Sequence, residues 1–133
     1  MSQRLRTVFL CLLTTLIIVG CSVSTKLILT TGKSRPSILP EDVKIYENEN
    51  KVQGEYEEIG LITSRGNYES TDLADMYISM REEAAKVGAN GLILGTIEEP
   101  STGDKIANHF VPIRADRTGK ATAIFVFPSE GKK

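Results

Sequence analysis

The 133-residue chain has two cysteines, Cys11 and Cys21, both near its N-terminal end. Nothing from Ser22 to Lys133 carries a thiol, so the body of the protein cannot close an internal disulfide and must rely on its own packed core. Upstream of Cys21 the residues run in the order of a secretory signal. Arg4 and Arg6 give a short positive segment, and Thr7 to Gly20 follows without a charge. Val8, Phe9, Leu10, Leu12, Leu13, Leu16, Ile17, Ile18 and Val19 form its apolar part. A bilayer-spanning helix needs about 20 apolar residues, whereas the core of a signal peptide needs only about 7–15. The run is too short to span, and its positive end stays in the cytoplasm. Residues 1–20 therefore read as a signal peptide.

The run closes on Ile18-Val19-Gly20-Cys21: an aliphatic residue, two smaller ones and a cysteine. This boundary resembles the bacterial lipobox. The resemblance implies diacylglycerol transfer to the Cys21 sulfur, cleavage before Cys21, and acylation, typically with palmitate, of the new amine. Gly20 fits a narrow peptidase subsite, and the thiol supplies the nucleophile for lipid transfer. The rival reading is an uncleaved anchor with an incidental cysteine, but charge, run length and boundary residues agree on the lipobox. A buried methylene contributes about 0.8 kcal/mol, and stable anchoring takes at least two hydrophobic signals, so three acyl chains would leave a negligible soluble pool. Ser22 follows the cysteine, with no aspartate there. In Gram-negative lipoproteins that pattern is taken to permit export, which places the protein at the periplasmic face of the outer membrane.

The mature chain keeps 14 of the 16 basic residues against 17 acidic ones, since Arg4 and Arg6 leave with the signal. Broad nucleic-acid binding through a basic face is thereby disfavoured. Apolar residues at 41% and charged ones at 25% describe an ordinary globular domain. The expected organisation is a lipidated cysteine and tether over 21–37, a single domain over 38–128, and a frayed tail over 129–133. Lys26 to Thr30 has the composition of a first strand, with a sticky linker as the alternative. Gly32 to Pro40 is an irregular crossing stiffened by Arg35-Pro36 and Leu39-Pro40. Val43 to Tyr46 alternates as a half-buried strand, Glu47 to Gly54 reads as a loop, and Tyr56 to Thr63 as a further strand. Ser64 to Ser70 reads as a loop.

The strongest periodic signal is helical. Leu73, Met76, Tyr77, Met80, Ala84 and Val87 recur at three- and four-residue steps, predicting one apolar stripe over about 70–88. Ser70 or Thr71 is the expected cap and Gly88 the stop. Leu92 to Ile97 reads as a continuous, central strand. Glu98 to Asn108, with Pro100 and Gly103, reads as a loop. Phe110 to Ile113 and Ala121 to Phe127, flanking Asp116-Arg117-Thr118-Gly119, read as a terminal hairpin. The fold class is thus α+β: a small mixed or antiparallel sheet, one main helix packed on it, and a C-terminal β-hairpin.

Three segments carry a family resemblance: Arg35-Pro36 with Ile38, Pro40, Val43, Ile45 and Tyr46; Tyr56-Glu57-Glu58-Ile59; and Glu82-Glu83-Ala84-Ala85-Lys86-Val87-Gly88-Ala89-Asn90-Gly91. Together they resemble a family of small bacterial lipoproteins of unassigned role. More distantly the arrangement is similar to the stress-sensing lipoprotein of the Rcs phosphorelay and to α/β domains named for heavy-metal binding. The resemblance implies a small sheet carrying an alanine-rich helix that ends in a Gly-Ala-Asn turn.

Chemistry is harder to find. His109 is the only histidine, against the three or four convergent ligands of a zinc-type site, so no metal or other cofactor is expected. Gly88, Gly91 and Gly95 follow a helix and enter a strand, the reverse of a dinucleotide-binding loop. No serine elbow or free thiol offers a nucleophile, which argues against an enzyme. Glu47, Glu49, Glu55, Glu57 and Glu58 read as solvated charge without calcium-loop spacing. Tyr46, Tyr56, Tyr68 and Tyr77 are candidates for a cluster at one end of the sheet, with Tyr68 best placed for a partner. The expected role is non-enzymatic interaction, structural or sensing, with Arg65, Asn67, Tyr68 and the Asp104–His109 loop, His109 included, as contact residues. The partner classes are an envelope protein, a second copy of the chain, or a glycan. The alternative is a periplasmic carrier of a small ligand or cation.

Overall fold

The structure, a computed structural model, describes residues 23–110 and 115–128. The leader, the lipobox residues Ile18, Val19 and Gly20, Cys21, the segment 111–114 and the tail 129–133 lie outside the described residues. The strands are β1 (Ser24–Leu29), β2 (Lys44–Tyr46), β3 (Tyr56–Asn67), β4 (Gly91–Glu98) and β5 (Asp116–Val126). The helices are α1 (Leu73–Lys86) and α2 (Thr102–Phe110), with single 3-10 turns at Pro40–Asp42 and Glu49–Lys51.

The sheet order is β1-β3-β5-β4-β2. β1 with β3, β3 with β5 and β4 with β5 are antiparallel, and β2 with β4 is parallel. β3, α1 and β4 make a strand–helix–strand crossover whose two strands run the same way, with β5 inserted between them. The α+β class and the single main helix are as the sequence predicts.

The helical stripe forms the core. Met76, Met80, Ala84 and Ala85 are buried on α1, and Leu73, Tyr77 and Val87 are half-buried beside them. They meet Ile59 and Ile62 of β3, Leu92 of β4, and Ala121 and Ala123 of β5. Alternation along β5 sends Ile124 to the opposite face, where Tyr46, Ile93, Val52 and Val126 enclose it. At Gly119 a Cβ would meet the Met80 and Met76 methyls and Ile97, so the absent side chain lets α1 lie close.

The C-terminal end of α1 is tightly tied. Gly88 takes φ +71°, Gly88 N–H donates to Ala85 O and Ala89 N–H to Ala84 O, a Schellman arrangement. The irregular crossing then takes up further carbonyls: Arg35 N–H donates to Val87 O at 2.9 Å and Ile38 N–H to Ala85 O at 3.0 Å. The Arg81 guanidinium donates to Pro40 O. Asn90 completes the junction. Its amide Nδ2 donates to Val126 O at 2.9 Å and its Oδ1 accepts from Val126 N–H at 2.7 Å, so the side chain extends the ladder of β5.

Several expectations are corrected. β1 brings residues 24–29 into the sheet through pairs from Ser24 with Arg65 to Leu29 with Gly60, so the domain starts well before residue 38 and the tether is shorter than 21–37. β3 runs on through Arg65-Gly66-Asn67, because β5 supplies partners as far as Asn67 and β1 a second partner as far as Arg65. β4 is interior but flanks the central strand, which is β5. Glu98 to Asn108 is not all loop, since it contains most of α2. The expected hairpin turn, Asp116 to Gly119, is continuous strand within β5. Its sequence-adjacent antiparallel partner is β4, reached through α2, and residues 111–113 lie outside the described residues.

Asn90→Ala removes two hydrogen bonds and strands the Val126 backbone groups, so unfolding free energy should fall by about 1–3 kcal/mol. Ile78→Ala, at an exposed position of α1, should stay within about 0.5 kcal/mol. Urea denaturation followed by far-UV circular dichroism measures both.

Candidate surfaces at one end of the sheet

Register defines two ends of the sheet. One holds the start of β1, the end of β3, the start of β5 and the end of β4: Ser24 pairs with Arg65, Asn67 with Asp116, and Glu98 with Thr118. The other holds the α1–β4 junction, with Tyr56 opposite Val126 and Lys44 opposite Gly91. All four sequence-predicted contact residues belong to the first end, but they do different things there.

Asn67 is a turn-former. Its Oδ1 accepts from Glu69 N–H at 3.0 Å, Ser70 N–H at 3.2 Å and the Ser70 hydroxyl at 3.2 Å, and its carbonyl accepts from Thr71 N–H at 2.9 Å. This corrects the expected helix cap. Ser70 and Thr71 are occupied by the Asn67 turn, and Asp72 stands at the N-cap without a side-chain cap bond. Gly66 completes the turn, because a Cβ there would strike the buried Thr71 side chain.

Tyr68 is half-buried between two cations. Lys105 Nζ lies 4.1 Å and Arg117 Cζ 5.1 Å from its ring centroid. Arg117 also donates to the Glu99 carboxylate and, at 3.3 Å, to Thr71 O. A polar cleft of about 410 Å³ opens beside this stack, lined by Tyr68, Glu69, Ser70, Thr71, Asp72, Asp75 and Arg117. Lys105 falls within the Asp104–His109 segment that the sequence singles out, whereas Arg117 is a functional candidate that sequence reasoning missed, because their meeting on Tyr68 depends on α2.

Arg65 stands on the sheet face opposite α1, where Ser24, Lys26 and Thr63 line a shallow cleft with it. Further along that face the register pair Ile28–Leu61 is exposed, at 70% and 49%. On the α1 side the Thr25 hydroxyl bridges Ser64 of β3 at 3.0 Å and Ser79 of α1 at 2.7 Å, which satisfies the buried Ser64.

His109 belongs to α2, not to a strand, and its ring meets Phe110 edge-on at 5.5 Å. The helix is started by a reciprocal capping box. Asp104 N–H donates to Ser101 Oγ at 3.1 Å, while Asp104 Oδ2 accepts from Ser101 N–H and its hydroxyl. Ile106 and Phe110, four residues apart on one side of α2, are 56% and 79% exposed.

The remaining candidates are dispersed. Tyr56 is at the opposite end of the sheet from Tyr68, and Tyr46 is buried, so the tyrosines form no single cluster. Glu57 of the acidic run accepts from Arg35 Nη2 at 2.8 Å, and the Arg35 guanidinium stacks 3.9 Å from the Phe125 centroid. Among the described residues, no group of three His, Cys, Asp or Glu side chains is placed to hold a metal ion.

No family model matches the chain, and no curated protein matches it. Among solved structures, the crystal structure of FvfA, a Francisella virulence factor, is similar at 14% identity with a TM-score of 0.52, covering 78% of this chain and 98% of that one. At that identity the likeness shows a shared fold.

If Asn67 serves the turn, Asn67→Ala should lower stability by about 1 kcal/mol, and Asn67→Asp, which keeps the acceptor, should restore most of it. Thermal melts of the two variants decide between this and a role in recognition alone, for which both would melt like wild type.

Proposed function

We propose that the protein is a lipid-anchored component of the bacterial cell envelope, acting by non-enzymatic binding in a structural or sensing role. The observation that carries this reading is Ile18-Val19-Gly20-Cys21 at the end of a charged, then apolar leader. Acylation of Cys21 would leave three residues of reach before Ser24, where β1 begins. Three residues span about 10 Å at most, which holds the first end of the sheet against the membrane surface. The location we propose is the periplasmic face of the outer membrane, favoured by Ser22 after the cysteine.

Confinement of that kind makes a weak interface sufficient, because a tethered domain meets membrane-bound partners at high effective concentration. The surfaces offered are the Tyr68 stack and the open sheet face with Arg65 and the Ile28–Leu61 pair. Partner classes are another envelope protein, a second copy of the chain, or a glycan.

Mass spectrometry of the purified protein should find an acylated N-terminus at Cys21. Cys21→Ser should move it from the detergent-extracted membrane fraction to the soluble or unprocessed pool. An unacylated chain beginning at Met1, or a C21S variant that fractionates like wild type, would overturn the reading.

A further inference from the structure

The lipid is not the chain's only apolar feature at the anchor end. α2 leaves β4 after Glu98 and lies beside Tyr68, whose backbone N–H is held by Ala115 O just before β5. It therefore sits at the end of the sheet where β1 starts at Ser24, opposite the end closed by the Schellman turn and Asn90. On α2, Ile106 and Phe110 project a large aliphatic and an aromatic side chain into solvent, one turn apart. Lys105 and His109, also one turn apart, form a neighbouring polar edge, with Lys105 held over the Tyr68 ring.

Placement and chemistry together name the occupant of this apolar edge. With Cys21 acylated, the three-residue reach to Ser24 limits how far this end can stand from the headgroups, about 10 Å, comparable with the diameter of a helix. We propose that the Ile106–Phe110 edge of α2 is a second membrane contact, seated in the headgroup and acyl boundary of the bilayer that holds the Cys21 lipid. This inference rests on the lipoprotein reading.

Two large side chains are too few to bind a membrane unaided. Once the lipid has placed the helix at the surface, the step becomes intramolecular and needs little affinity. Charge does not drive it. Lys120 pairs with Glu98, Arg117 with Glu99, and Asp72, Asp75 and Asp104 add negative charge at the same end. The contact should therefore form on zwitterionic lipid and tolerate salt. It would fix the domain's orientation as a second point of attachment beside the lipid, and it leaves the opposite end facing away from the bilayer.

The chain contains no tryptophan, so Phe110→Trp introduces a single fluorescent reporter. Leu39→Trp is the matched control, at an exposed position near the C-terminal end of α1. Each variant is purified as the full processed lipoprotein and reconstituted into phosphatidylcholine vesicles with plain or dibrominated acyl chains. The N-terminal mass of each sample is measured first. The expected result is loss of most of the F110W emission in brominated vesicles, at low and high salt, with L39W emission unchanged.

Acylated, vesicle-bound F110W that bromine leaves unquenched would overturn the membrane contact while leaving the lipid anchor standing. Blue-shifted but unquenched emission would assign the edge to a protein surface, a second copy or another envelope protein, and would also overturn it. An unacylated N-terminus found in the mass measurement removes the anchor itself, and the inference with it.

Discussion

The C-terminal end of α1 is the constraint from which the rest of the fold follows. A helix of small and flexible residues lies flat on the sheet only if its last carbonyls are satisfied in place, and here two parts of the chain do so while a third ties the junction to β5. Gly88 turns back on Ala85, the backbone of the 35–38 crossing donates to Val87 and Ala85, and Asn90 joins the outgoing chain to Val126. Gly88 tolerates this because its φ of +71° is nearly free only without a Cβ, and because Arg35 and Pro36 pack where that Cβ would lie. With no disulfide between residues 22 and 133, the long-range hydrogen bonds among these join residues 36 to 52 positions apart in the chain.

The same junction gives a physical meaning to the three sequence segments singled out above. Arg35-Pro36 and Ile38 form the strap across the helix end. Pro40 offers its carbonyl to Arg81, Val43 enters the core, and Tyr46 covers Ile124. Ala84, Ala85 and Ala89 are buried without bulk, and a Cβ at Gly91 would press on Ile124 and Tyr46. Each of these positions answers to packing or backbone geometry. Such a pattern specifies how a chain folds and leaves open what it binds.

What the sequence makes legible is whatever is periodic. The stripe from Leu73 to Val87 sets α1, and alternation sets β2 and most of β3. The failures share a cause: a local turn-forming residue was placed by distant packing. Gly119 and Asp116 read as a turn, yet Gly119 is strand because two methionine methyls occupy the space of its Cβ. Gly66 beside Asn67 read as a loop, yet Gly66 closes on Thr71 while β5 pairs with it through Arg117. Helix α2 is a different kind of miss, for its capping box, Ser101 with Asp104, is present in the sequence. Pro100 and Gly103 masked it, although a proline just before a helix is an ordinary start signal. The stack of Lys105 and Arg117 on Tyr68 was beyond reach without α2 in place, as it joins residues far apart in the chain.

The two ends of the sheet thus carry different kinds of free energy. At the junction end polar groups find partners within the chain and the Arg35 guanidinium lies between Phe125 and Glu57, although Leu39, Tyr56 and Phe127 stay exposed there. No described buried side-chain polar atom lacks a partner, so the domain holds no polar strain that binding could relieve. What it leaves unsatisfied is apolar: Ile28 with Leu61 on the open face, and Ile106 with Phe110 on α2. Exposed side chains of that size gain by leaving water whatever covers them. If Cys21 is acylated as proposed, proximity makes the choice of occupant, and that proximity would be set by the few residues that separate Ser24 from Cys21.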